Sequence, residues 1–169
     1  MTKEIMNAEQ LSRTLKRMTH EIIERNQDLD NLVFVGILNK GYPVAQALVQ
    51  NFKRFTEIDI PLYPIDITPY RDDAQNDSSP KIKSFDINKK RVILVDDVLY
   101  TGRSVRAAMD ALIKHGRPEQ IQLAILIDRG HRELPIRADY IGKNIPTSQD
   151  ETILVDIKKQ VIELTTKSD

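Results

Sequence analysis

The stretch from Arg91 to Ser104, RVILVDDVLYTGRS, limits the chain's options more than any other. Val92 to Val95 is a short apolar run with three β-branched residues. That composition suits a strand buried on both faces, as in a parallel sheet. The run ends in two adjacent carboxylates, Asp96 and Asp97, and then a small polar loop, Thr101-Gly102-Arg103-Ser104. A helix is predicted at once, because Val105, Ala108, Met109, Leu112 and Ile113 recur at i, i+3, i+4, i+7 and i+8. Gly116 lies just past its end and Pro118 beyond, which stops it. The unit reads as strand, acidic end, loop and helix.

Each part of that unit has a chemical use. A helix N-terminus offers unpaired backbone N–H groups and a partial positive charge, both suited to a phosphate. Gly102 permits close approach of the backbone, and the hydroxyls of Thr101 and Ser104 can donate to phosphate oxygens. Carboxylates at the carboxyl end of a strand can accept from the hydroxyls of a sugar, and open α/β sheets place ligands at that edge. The unit therefore reads as a sugar-phosphate site. The plain alternative is a βα unit with a solvated Asp97, in which Thr101 or Ser104 only caps the helix.

Composition narrows the partners. The chain has 169 residues, 25 of them basic and 25 acidic, so its net charge is zero. One domain with a real core is expected at this length. A uniformly basic nucleic-acid binder is excluded, whereas a local basic patch is not. There is no cysteine, hence no disulfide framework, thiolate catalysis or cysteine metal site. Tryptophan is absent and Phe and Tyr are few, which leaves little material for stacking single-stranded bases. No apolar run is long enough for a membrane span or signal peptide, so a soluble cytoplasmic protein is expected.

The rest of the chain fits around the central unit. An amphipathic helix is predicted from about Ala8 to Asn26, with Leu11, Leu15, Met18 and Ile22 as its apolar stripe. Arg13, Lys16, Arg17 and His20 form a second stripe, which is either a solvated face or a phosphate-backbone surface. Leu32 to Leu38 is a second buried strand, followed by Asn39-Lys40-Gly41 and a helix from about Pro43 to Phe55. Pro61 and Pro64 make Ile58 to Thr68 an edge or bent strand. Residues 69–83 are polar and are expected to be mobile. Ile121 to Ile127 is another buried strand. From Asp128 the chain becomes irregular, basic and broken by Gly and Pro, with Arg129, His131, Arg132, Arg137 and Lys143 diluted by Glu133 and Asp139. Strand character returns at Ile153 to Ile157 and at Gln160 to Thr165.

VILVDDVLYTGRSV resembles the binding motif for 5-phosphoribosyl 1-pyrophosphate (PRPP) of the type I phosphoribosyltransferases: apolar residues, two acids and a T-G-x-[ST] loop. LIDRGHRELPIRADYIGKNIPT, with HEIIERN and YRDD, is similar to the bacterial family of bifunctional pyrimidine-operon attenuation regulators and uracil phosphoribosyltransferases. The resemblance covers nearly the whole chain and is weakest between Asn51 and Asn88. It implies one α/β domain over 1–169, with a mostly parallel central sheet flanked by helices. A flexible loop at about 69–83 and a small hood at about 128–157 complete it.

The resemblance also implies a reaction and its residues. A pyrimidine ring nitrogen of uracil displaces pyrophosphate from C1 of PRPP and gives UMP, with magnesium carried on the substrate. Asp96 and Asp97 take the catalytic place at the ribose hydroxyls, and metal-bound PRPP lies near them. PRPP or nucleotide contacts fall on Asn39, Lys40, Arg71, Val98, Leu99, Tyr100, Thr101, Gly102, Arg103, Ser104, Arg129 and Ile153. Family members carry Thr-Arg where this chain has Asn39-Lys40; lysine keeps the charge but loses the planar fork. The family also binds the messenger RNA leader of the pyrimidine operon under control of UMP or UTP and works as a homodimer or larger. RNA contacts are implied for Lys16, Arg17, His20, Arg25, Arg132, Arg137 and Lys143. Lys16 stands where Thr is expected. Two alternatives remain at this level: an RNA regulator with weakened catalysis, suggested by Asn39-Lys40, and a salvage phosphoribosyltransferase without an RNA role. A dinucleotide-binding domain is disfavoured because no G-x-G-x-x-G follows a strand.

Overall fold

The computed structural model describes residues 1–70 and 85–167. Eight strands and three α-helices follow in the order β1 (Thr2–Met6), α1 (Ala8–Arg25), β2 (Leu32–Ile37), α2 (Gly41–Thr56), β3 (Leu62–Ile65), β4 (Arg91–Leu99), α3 (Arg103–His115), β5 (Gln120–Asp128), β6 (Tyr140–Asn144), β7 (Glu151–Asp156) and β8 (Val161–Thr166). Five of the strands form one parallel sheet in the order β3-β2-β4-β5-β6. The other three form an antiparallel sheet in the order β1-β8-β7.

Both faces of the parallel sheet are covered, which is why β2 and the Val92–Val95 part of β4 read as unbroken apolar runs. Phe34, Ile93 and Val95 point to one side and pack with Met18 and Ile22 of α1 and Leu48 and Phe52 of α2. Val33, Val35 and Leu94 alternate to the other side and pack with Val105, Ala108 and Leu112 of α3. Ile113, at the end of the predicted stripe, is exposed. Helix α1 begins with a capping box: Gln10 N–H donates to Asn7 Oδ1, and Asn7 N–H donates to Gln10 Oε1. Its stripe Leu11, Leu15, Met18 and Ile22 is buried.

The structure departs from the sequence reading in four places. The central strand does not stop at Val95; it pairs with β5 as far as Val98↔Ile127 and Leu99↔Asp128, so the acidic pair lies within the strand. Helix α2 starts at Gly41, two residues before Pro43. Tyr140–Asn144, inside the segment read as irregular hood, is the fifth parallel strand, in register Ala124↔Tyr140 and Ile127↔Lys143. Of residues 128–157, expected to form a hood, β7 joins an antiparallel sheet whose other strands, β1 and β8, lie outside that range. Pro64 does sit on an edge strand, opposite Gly36. The loop expected at about 69–83 begins in a 3₁₀ turn, Thr68–Tyr70, and from Arg71 onward lies outside the described residues.

Candidate nucleotide site at the carboxyl end of the central strand

Asp96 is 7 % exposed and Asp97 is half-buried. Each carboxylate accepts from the next backbone N–H: Asp97 N–H donates to Asp96 Oδ1 at 2.8 Å, and Val98 N–H to Asp97 Oδ1 at 2.8 Å. Burial pushes the Asp96 carboxyl well above its ordinary range, and the neighbouring Asp97 charge adds to the rise. The pair is held from one side by α2. A Cβ on Gly41 would stand 2.6 Å from the Val95 carbonyl oxygen and 3.0 Å from Asp96 Oδ1. Only glycine lets the start of α2 lie this close to the acidic strand. Asn39 and Lys40 precede it, both exposed, after a cis Leu38–Asn39 bond.

The loop after the acids runs from Tyr100 into α3. Val98 is half-buried and Leu99 is core. Gly102 is the N-cap of α3, with φ 94°, a left-handed conformation that favours glycine. Gly102 has no side chain with which to cap the helix. Thr101 Oγ1 instead accepts from Arg103 N–H at 3.3 Å. The first N–H groups of a helix have no partner within it. Strand end, glycine and helix start therefore meet at the loop where the sequence led us to expect a phosphate.

A second segment folds over this loop. Glu133 N–H and Leu134 N–H both donate to the Thr101 carbonyl, at 2.9 and 3.2 Å. Glu133 also pairs with Arg103 Nε at 2.9 Å. Read from sequence, Glu133 only dilutes a basic run; here it holds the loop, and no periodicity could have shown that. Arg129 is 6 % exposed. Its guanidinium stacks on Tyr100 at 4.0 Å and donates to Thr147 Oγ1 at 2.8 Å and to the Ser148 carbonyl at 3.0 Å. It also donates to the Glu151 carbonyl. All of these partners are within the chain, so Arg129 ties Tyr100, at the start of the loop before α3, to the segment leading into β7. Ile153 is buried in the core on β7. Arg71 lies outside the described residues.

The basic residues fall into two groups. On α1, Arg17 pairs with Glu21 at 2.7 Å and donates to the carbonyls of Ile141 and Gly142 on β6. Arg25 pairs with Asp139 at 3.1 Å and lies over Tyr140. His20 stacks on Phe55, and Lys16 is half-buried. Lys143 on β6 shares a cleft of about 240 Å³ with Arg13, Gln10 and Thr14. The second group, Arg132 and Arg137, flanks a pocket of about 410 Å³ floored by Leu134, Pro135 and Ile136. Thus α1 and β6 are brought together, and the loop carrying Arg132 and Arg137 leans on the phosphate loop.

Among the described residues, no three His, Cys, Asp or Glu side chains are grouped to hold a metal. Asp96 and Asp97 offer hard oxygen donors of the kind magnesium takes together with phosphates and water. No described helix is long and apolar enough to cross a membrane.

Residues 1–160 match the phosphoribosyl transferase domain family. The chain is 52 % identical over 162 residues to a bifunctional protein pyrR of Enterococcus faecalis, covering 94 % of this chain and 91 % of the relative. It is 53 % identical to a bifunctional protein PyrR of Oceanobacillus iheyensis, covering 93 % and 91 %. Among solved structures, the hypoxanthine phosphoribosyltransferase of Trypanosoma cruzi superposes with a TM-score of 0.78 at 16 % identity, over 98 % of this chain and 97 % of that one. That last likeness is one of fold.

Proposed function

The chain belongs to the phosphoribosyl transferase domain family and, within it, to the bifunctional PyrR proteins, and from that membership we propose that it does two things. It converts uracil and PRPP to UMP and pyrophosphate. It also binds the RNA leader of a pyrimidine operon in response to UMP or UTP and so attenuates transcription. It works in the cytoplasm as a homodimer or larger assembly. The observation that carries this reading is identity above one half, held over nine-tenths of both chains, together with an intact acidic pair and phosphate loop.

The chemistry needs no covalent nucleophile. Charge builds at C1 of the ribose as pyrophosphate departs, so the protein has to position two substrates and stabilise a leaving polyanion. Asp96 and Asp97 accept from the ribose hydroxyls and hold C1 in place. Backbone N–H groups from Thr101 to Ser104 hold the 5′-phosphate against the start of α3. Asn39 and Lys40 lie beside the departing pyrophosphate. Magnesium, when bound, offsets the charge on the pyrophosphate oxygens. The hood, tied by Arg129, covers the base.

Product formation from uracil, set against guanine and orotate, tests the enzyme; leader RNA set against a scrambled stem-loop at several salt concentrations tests the regulator. Turnover of guanine alone, or equal affinity for both RNAs, would sink the respective half of the proposal.

Lys40→Arg restores a planar fork that can grip two oxygens at once. One added charge-assisted hydrogen bond at the leaving group raises kcat by about three- to tenfold. Steady-state assays with uracil decide it, and an unchanged kcat rules out lysine as the limit on turnover. Gly41→Ala acts the other way. Its Cβ meets backbone at 2.6 Å, so α2 has to move off Asp96. A displacement near 1 Å at such a site costs about 10²-fold in kcat/KM; a loss below threefold would show that the contact relaxes elsewhere.

A further inference from the structure

We infer that the segment Glu133–Ile136 is the positioning element through which a nucleotide phosphate at the Thr101–Ser104 loop raises the affinity of Arg132 and Arg137 for RNA. The inference rests on the function proposed above and names how its two sites communicate. Three independent contacts join the segment to the loop. Glu133 and Leu134 N–H groups both end on the Thr101 carbonyl, at 2.9 and 3.2 Å. The Glu133 carboxylate holds Arg103 Nε at 2.9 Å. Leu134 and Ile136 side chains pack where a Gly102 Cβ would meet them at 3.5 Å.

The segment is also hydrogen-bonded to one of its flanking arginines. Ile136 N–H donates to the Leu134 carbonyl at 2.8 Å, and Arg132 Nη1 donates to the Ile136 carbonyl at 3.4 Å. Arg132 and Arg137 therefore stand at the two ends of one closed turn and line the same pocket.

The physical link is a single peptide unit. The Thr101 carbonyl and the Gly102 N–H belong to the same amide. A phosphate that accepts from Gly102 N–H polarises that amide and strengthens what its carbonyl accepts, since hydrogen bonds in series reinforce one another. The two bonds from Glu133 and Leu134 tighten, and the turn already closed in this structure is held more firmly before RNA arrives. An arginine pair already ordered loses less entropy on binding RNA. Linkage then requires RNA to raise nucleotide affinity by the same factor.

The test uses the full chain, labelled leader RNA and UMP. RNA affinity is measured with and without saturating UMP, and UMP affinity with and without RNA. The wild type, the Glu133→Gln variant and the Leu134→Ala/Ile136→Ala double variant run together, with circular dichroism to check the fold. In the wild type, UMP strengthens RNA binding by about fivefold or more, and RNA strengthens UMP binding equally. In both variants that factor falls below about twofold. Should the double variant not fold, the exposed Glu133→Gln change decides alone. Variants that keep the full factor overturn the inference and leave the proposed function standing. Variants that lose UMP-free RNA binding overturn it too, because the segment is then only part of the RNA face. Wild-type protein that binds RNA without any UMP effect, or binds none, removes the proposed nucleotide-controlled regulator and the inference with it.

Discussion

Asp96→Asn makes the protein more stable and nearly inactive. The side chain is buried and its carboxyl resists ionisation, chiefly because burial removes water and secondly because Asp97 lies beside it. In the window between the ordinary aspartate value of 3.8 and the raised native value, the folded state keeps a proton that the unfolded chain has released. Stability therefore falls as pH rises through that window, and above it the native state carries the full cost of an ionised buried group. Asn has no charge to bury and can still accept from Asp97 N–H. Thermal melts at pH 7.5 should show the variant higher by roughly 2–4 °C, the shift that about 1 kcal/mol gives in a chain of this size. The difference should shrink toward zero at pH 4. Turnover of uracil should fall by about 10²-fold or more, because an acceptor for a ribose hydroxyl is weakened where charge develops. A lower melting temperature at pH 7.5 would mean that Asp96 stabilises the fold and is retained for that reason.

Gly142→Ala has the largest expected effect on folding. A Cβ there would lie 2.3 Å from the Leu126 carbonyl oxygen and 3.0 Å from Thr14 Cγ2. The first contact is backbone of the neighbouring strand and cannot rotate away, so β6 has to peel from β5 or α1 has to lift. Overpacking of this kind costs about 3 kcal/mol, which lowers the melting temperature by roughly 6–12 °C. The functional consequence is uneven. Arg17 donates to the carbonyls of Ile141 and Gly142, and Lys143 is the next residue, so the α1–β6 basic surface is disturbed. The acidic pair sits on β4 and is spared. Below the melting transition, RNA affinity should drop at least about tenfold while uracil KM stays within about threefold, as expected when a strained contact is distant from the chemistry. Equal losses in both assays would show that the strain reaches β4.

What was legible in the sequence follows from where each signal comes from. β2, β4 and β5 lie in the middle of a parallel sheet with both faces covered, so their central residues are mostly apolar and the runs Leu32–Ile37, Val92–Val95 and Leu123–Ile127 announce themselves. Helix α1 announced itself through a stripe at i, i+4 and i+7 that ends up buried. β6 did not, because it is the sheet's edge strand and carries Gly142, Lys143 and Asn144. β1 was invisible for another reason: TKEIM has little apolar content, and its partner β8 lies at the other end of the sequence. At the site, the acidic pair and Gly102 were readable because motif and chemistry coincide locally. The holding contacts were not. Glu133 to Arg103, Arg129 to Tyr100 and Glu151, and Gly41 to Asp96 each join residues distant along the chain through geometry alone.

The antiparallel sheet β1-β8-β7 has a consequence for protein synthesis. As the chain leaves the ribosome, the last parallel strand, β6, is available well before β8. The sheet that carries the acids and the phosphate loop can therefore assemble while β1 and β7 still lack the strand that belongs between them. A nascent chain halted before Val161 has the strands of the parallel sheet but not the middle strand of the antiparallel one. Ribosome-bound chains of increasing length should accordingly gain protease resistance in two steps, the parallel core first and the first strand of the protein last.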